Sequence, residues 1–227
     1  QFASALLLAA DVGGWQIGLG EAKLDEAPYV QMTQELIAEF LKAGGTFAIE
    51  PDASSGSYFW GVNTFAEGVE VAHWPLTGWQ VDAQFTRFLS PPREVSRQTD
   101  LGDSIMTAIT LAPLQDRPTS FTDLGRLRVQ ECERVAALRT ELTKCGARIS
   151  EEGDTLHVEP SPELHGAEIE TYNDHRMAMC FALLGLKVPG MCLRDPACVK
   201  KTFPNFFQKL AAASPAGVGA EIRDAAG

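Results

Sequence analysis

Apolar residues recur at helical spacing in several stretches of this chain and alternate with polar ones in others, so helices and strands are expected to follow one another throughout. Helices are predicted over 1–10, 28–42, 78–89, 102–114 and 129–145, and another opens at Asp52-Ala53-Ser54-Ser55. Short β-type runs at 15–19, 46–50, 69–72, 119–124, 148–151 and 155–159 predict strands, the last two joined by a turn at Gly153-Asp154. The polar, proline-containing stretch 90–100 is predicted to be a loop. In 28–42 the stripe Met32, Leu36 and Phe40 should be buried, with Pro28 in the first turn and Gly44-Gly45 as the stop. In 129–145 the buried face should be Val135, Leu138 and Leu142. The apolar run Leu6-Leu7-Leu8 reads as part of a buried helix, too short to cross a bilayer.

The passage Leu41-Lys42-Ala43-Gly44-Gly45-Thr46-Phe47 is echoed by Leu142-Thr143-Lys144-Cys145-Gly146-Ala147-Arg148, each a helix that stops at glycine and enters a strand. This predicts a repeated unit in an α/β (α+β) fold rather than one doubly wound sheet. A chain of 227 residues with 45% hydrophobic content can bury a sizeable core.

Charge narrows the chemistry. With 19 basic and 30 acidic residues the formal net charge is −11, which argues against a general nucleic-acid or anionic-membrane surface, so any anionic ligand must be held by a few local cations. The five cysteines form no C-x-x-C pair and suggest a reducing compartment; four histidines without ligand spacing give no zinc site. Gly18-Leu19-Gly20 lacks the remainder of a dinucleotide fingerprint, and no Gly-x-Ser-x-Gly occurs.

The strongest chemical signal is Tyr172-Asn173-Asp174-His175-Arg176-Met177-Ala178-Met179, a polar cluster at the start of an apolar helical run. Asp174 can cap that helix while His175 and Arg176 remain ordinary first-turn residues. Alternatively, unpaired N–H groups and the Arg176 guanidinium make an anion site. Two further strings accompany it, Arg128-Val129-Gln130-Glu131-Cys132-Glu133-Arg134 and Asp195-Pro196-Ala197-Cys198-Val199-Lys200-Lys201-Thr202-Phe203-Pro204.

With these strings the chain resembles the second half of the 5-enolpyruvylshikimate-3-phosphate synthase family, densely over 128–210 and recognisably around Asp52 to Phe59 and Gly102 to Thr107. The resemblance implies two lobes built from βαβαββ units, with 1–50 ending one lobe and 51–227 forming most of the other. It further implies transfer of the enolpyruvyl group of phosphoenolpyruvate to the 5-hydroxyl of shikimate 3-phosphate with release of phosphate, without a cofactor. The partner it implies is the missing N-terminal half, and the setting is cytoplasmic, or plastidic in a plant or alga. Arg134, Arg176 and Lys201 match the cations that hold phosphoenolpyruvate, Asp103 and Glu131 the acid–base carboxylates, and Gln1 and Tyr29 residues near the shikimate ring. Such cations fit a reaction that must bring two phosphates and a carboxylate together. Glu131 and Arg134, three apart, should project from one helix face.

Three positions depart from the family pattern: Gln130 replaces a substrate-binding lysine, Glu26 a phosphate-contacting serine and Arg126 an asparagine. The regions around 45–46 and 89–100 are also short. Two other readings therefore accompany the transferase: a non-catalytic relic that keeps a phosphoenolpyruvate site, and the related enolpyruvyl transferase that acts on UDP-N-acetylglucosamine.

Overall fold

The computed structural model describes residues 2–20, 26–42 and 46–224. From the middle of the chain onward it contains one complete βαβαββ unit: β1 (Glu94–Ser96), α4 (Ile105–Leu111), β2 (Thr119–Thr122), α5 (Arg134–Lys144), β3 (Arg148–Glu152) and β4 (Thr155–Glu159). The four strands form one sheet in the order β1-β2-β4-β3; β1 and β2 are parallel, and β4 runs antiparallel to both of its neighbours. Helix α4 is the crossover that a parallel pair requires. An abbreviated second unit follows, in which β5 (Glu168–Ile169) and β6 (Cys192–Leu193) pair in parallel on either side of α6 (His175–Gly185), and α7 (Phe206–Ala211) ends the series.

Local chemistry accounts for the best-formed elements. Val135, Leu138 and Leu142 are fully buried on α5 as their spacing predicts. Gly146, at φ 82°, ends that helix in the left-handed conformation that glycine adopts without a Cβ penalty. On β4, Leu156 and Val158 face the core while Thr155, His157 and Glu159 point away. All seven residues of α4 are buried, and the core closes around Phe121, Leu127, Met177 and Phe181. A buried hydroxyl pair, Ser57 Oγ and Thr107 Oγ1 at 2.9 Å, ties α3 (Ala53–Trp60) to α4. Among the described residues no helix is long and apolar enough to cross a membrane.

Several expectations fail for identifiable reasons. α1 (Phe2–Gly13) forms but is not buried: it has no buried residue, and Phe2 and Val12 are 90% and 94% exposed. It rests on α2 (Ala27–Lys42), where the Thr33 hydroxyl donates to Ser4 Oγ at 2.8 Å. The α2 stripe is only partly covered, with Phe40 exposed and Val30 and Thr33 buried instead, while Gly44-Gly45 lies outside the described residues. No strand forms at 15–19, 46–50 or 69–72, since extended backbone needs a paired neighbour. Around 69–72 the Asn63 side chain substitutes for one, donating to Val69 O at 2.8 Å and accepting from Val69 N at 3.2 Å. The stretch 78–89 holds a 3-10 helix, Val81–Phe88, instead of an α-helix. The supposed loop 90–100 contains β1. α5 starts at Arg134 rather than 129, because Leu124–Val129 winds as a 3-10 helix that leaves Val129 69% exposed. Glu131 therefore lies in a link before α5 and does not share a helix face with Arg134.

Candidate functional site

Asp174 organises the site. Its backbone is extended (φ −105°, ψ 118°), and it caps α6 by accepting from Arg176 N at 2.8 Å. Tyr172 and Asn173 before it both adopt positive φ, 54° and 53°. The Tyr172 hydroxyl donates to buried Glu141 Oε1 at 2.7 Å, which anchors this strained entry to α5. Asp174 is 0% exposed and also accepts from Arg134, with Nε to Oδ2 at 2.7 Å and Nη2 to Oδ1 at 3.3 Å. Arg134 is itself only 2% exposed, and its Nη1 donates to Gln130 Oε1. Burial alone would push the Asp174 carboxyl up, but Arg134 outweighs it and holds the group below the usual aspartate range. Asp174 thus caps the helix, as one of the two sequence readings expected, and in addition holds the Arg134 guanidinium.

In the first turn of α6, Arg176 points to α3 and to the loop before α4. Its Nη1 donates to Ser54 Oγ at 2.5 Å and reaches Tyr58 Oη at 3.5 Å, and its Nη2 lies 3.2 Å from Asp103 Oδ2. Asp103 Oδ1 accepts from Arg97 Nη2 at 2.8 Å. Burial raises the Asp103 carboxyl, but Arg176 and then Arg97 prevail and bring it down to about 2. Lys201, at the end of the 3-10 helix Pro196–Lys201, meets Glu131 Oε2 at 2.5 Å. That hydrogen bond, against a smaller cost of burial, lowers the Glu131 carboxyl. His175 is depressed by burial and then by Arg176, which favours the neutral ring.

The structure therefore brings Asp103, Tyr29 and Arg176 into one cluster, Arg134 and Gln130 into a second across Asp174, and Glu131 with Lys201 into a third. Gln1 lies outside the described residues. Tyr29 is held by polar groups of the chain, its hydroxyl donating to Asp82 Oδ2 at 3.1 Å and accepting from Asp103 N at 3.0 Å. A cavity of about 320 Å³ beside it is lined by Tyr29, Ser54, Asp103 and Arg176 on its polar side and by Met32 and Leu36 on its apolar side. Each of the three matched cations is paired with a carboxylate, so an incoming anion must share or displace that partner.

Sequence reasoning overlooked Asp82, Arg97 and Tyr58, and assigned Asp174 only a capping role. Arg97 Nη1 stands 2.9 Å from Glu26 Oε1, and Arg126 Nε 3.5 Å from the same oxygen. The two unexpected residues at 26 and 126 thus form an ion pair with each other, an association that the separate departures could have suggested.

Comparison with known proteins identifies the family. The chain is 33% identical over 229 residues to a 3-phosphoshikimate 1-carboxyvinyltransferase of Nostoc punctiforme, covering 84% of this chain and 54% of that protein. It is 32% identical to the enzyme of the same name from Shewanella loihica, covering 93% and 59%. The chain thus spans little more than half the length of these relatives. Among solved structures, an EPSP synthase from Acinetobacter baumannii superposes with a TM-score of 0.58 at 21% identity, over 78% of this chain and 48% of that one. The enolpyruvyl transferase NikO from Streptomyces tendae gives 0.50 at 19%, over 71% and 42%. At these identities the structural likeness speaks for the fold alone. The sequence profile of EPSP synthase (3-phosphoshikimate 1-carboxyvinyltransferase) matches residues 92–210, more than half of the chain, and the chain therefore belongs to that family.

Proposed function

We propose that this chain supplies the phosphoenolpyruvate-binding part of an enolpyruvyl transferase acting on shikimate 3-phosphate. The observation that carries the reading is that Arg134, Arg176 and Lys201 stand on elements that touch one another, each paired with a carboxylate, and that an anionic ligand can replace those of Arg176 and Lys201. In this reading the phosphoenolpyruvate carboxylate and phosphate take up the cations, and Arg176 and Lys201 loosen from Asp103 and Glu131. Losing a cationic neighbour raises a carboxyl's pKa, so when the ligand arrives Asp103 becomes a stronger base and Glu131 more readily carries the proton it is to give. Asp103 then accepts the proton of the attacking hydroxyl as its oxygen bonds to the phosphate-bearing carbon of phosphoenolpyruvate, while Glu131 gives a proton to the methylene carbon; departure of phosphate with return of one methyl proton to a carboxylate restores the double bond in the product. Arg134 keeps Asp174 and acts from a preorganised position.

Residues 51–227 make up most of one lobe in this account, and 1–50 belong to the other. Exposed Phe2, Leu8 and Val12 on α1 support packing against the remaining half of the enzyme, the partner required for turnover.

A second reading, a relic that binds only phosphoenolpyruvate, is favoured by Glu26. Its carboxylate already occupies Arg97 and Arg126, and an acid there opposes a second phosphate. Calorimetry distinguishes the two readings: the chain is titrated with phosphoenolpyruvate and with shikimate 3-phosphate, each with and without the other, in the presence of the N-terminal half. Mutual tightening is expected of the transferase; independent binding favours the relic.

A further inference from the structure

Asp82, next to the candidate base, is used neither by the resemblance nor by the mechanism above. Asp82, on the 3-10 helix after Gln80, is 3% exposed and directs both carboxylate oxygens at groups around Asp103. Oδ1 accepts from Ser104 N at 2.6 Å, and Oδ2 accepts from the Tyr29 hydroxyl at 3.1 Å. The same hydroxyl accepts from Asp103 N at 3.0 Å. Backbone N–H groups on two successive residues, 103 and 104, are thus bound to one acid, the first through Tyr29 and the second directly. The backbone just before them packs closely on the same groups: a Cβ on Gly102 would lie 2.2 Å from Tyr29 Oη and 2.7 Å from Asp82 Oδ2.

We infer that Asp82, acting through Tyr29 and Ser104 N, is the positioning residue that holds the Asp103 carboxylate between Arg97 and Arg176. The inference uses the proposed role of Asp103 as a base, but its physical content, a fixed carboxylate between two guanidinium groups, holds without turnover. An alternative role for Asp82 is electrostatic only, as one more negative charge near Asp103. The two roles differ in sign. Removing a neighbouring negative charge lowers the Asp103 pKa, whereas letting Asp103 drift from Arg97 and Arg176 raises it.

The test is carboxyl ¹³C NMR titration of Asp103 in the parent chain and in Asp82→Asn. An asparagine of the same size cannot accept with both branches, and its amide faces the donors it replaced. In the parent, Asp103 stays ionised from neutral pH down to about pH 4, in keeping with a carboxyl held at about 2. In Asp82→Asn the same signal is expected to begin protonating as the pH falls below about 5, reporting a carboxyl returned to about 3 to 4. Amide signals from β2, β3 and β4 report whether the variant is folded. Tyr29→Phe, which keeps the ring and removes the hydroxyl, should move Asp103 in the same direction by less, and it decides the question should Asp82→Asn not fold. A folded variant with Asp103 unmoved or lowered overturns the inference. Because no substrate is involved, that result would leave the transferase reading untouched, and a failure of turnover would leave this inference untouched.

Discussion

Replacing Arg134 by methionine leaves Asp174 buried with its principal cation gone. Both side chains are essentially inaccessible, at 2% and 0%, so solvent cannot move in to replace the lost partner without rearrangement. Removing one member of such a pair costs about 3–5 kcal/mol, because an uncompensated charge stays behind. For a chain of this size each kcal/mol lowers the melting midpoint by about 2–4 °C, so Arg134→Met should melt roughly 6–20 °C below the parent. In the double variant with Asp174→Asn both charges are gone and the asparagine still caps α6, so its cost should fall about 2 kcal/mol short of the sum of the two single changes. Urea unfolding followed by tryptophan fluorescence measures all three. The pH dependence supplies a second check on sign. In the parent the Asp174 carboxyl is depressed, so its contribution is present above the unfolded value of about 3.9 and is lost as pH falls through the folded value. In Arg134→Met the carboxyl is raised by burial and its penalty is relieved on protonation, so the gap between parent and variant should be widest near neutrality and narrow toward about pH 4. A cost below about 1 kcal/mol, or strict additivity in the double variant, would show that Arg134 does not compensate a buried Asp174 charge.

Three other outcomes follow from the same geometry. Asp103 is held at about 2 against an ordinary 3.8, a depression worth about 2 kcal/mol that is present above roughly pH 4 and lost as the pH approaches 2; Asp103→Asn should remove this acid-side loss from urea titrations across that range. Glu26→Ser removes the carboxylate that Arg97 and Arg126 hold, and calorimetry should show inorganic phosphate binding about tenfold tighter than in the parent. Lys201 is 56% exposed, so Lys201→Met should change stability by no more than about 0.5 kcal/mol while weakening phosphoenolpyruvate binding at least about tenfold in the same assay.

What the sequence disclosed depends on whether the cause is local or distant. The buried face of α5, the β3–β4 turn at Gly153 and the caps Asp52 and Asp174 depend on residues within a turn of one another, and all were legible. β1 was not. It has three residues behind a pair of prolines and exists because Glu94, Val95 and Ser96 pair with Ser120, Phe121 and Thr122. The 69–72 stretch has strand composition but is held by an asparagine side chain, and α1 has a core-like composition but an uncovered surface. At the site, Asp103, Glu131, Arg134, Arg176 and Lys201 were found through the motifs that contain them. Asp82 and Arg97 sit outside those motifs and matter only because folding carries Tyr29 and Asp82 to the loop at 102–104. The Glu131–Arg134 spacing misled, since helical geometry was assumed three residues before the helix begins.

The proposed site performs chemistry on phosphoenolpyruvate only if its cations and carboxylates act together. The most direct test is phosphate release by the chain combined with the N-terminal half proposed as its partner. Release is expected only when phosphoenolpyruvate and shikimate 3-phosphate are both present, and should be lost in Arg176→Ala. A folded, soluble complex that binds both substrates and releases no phosphate would contradict it.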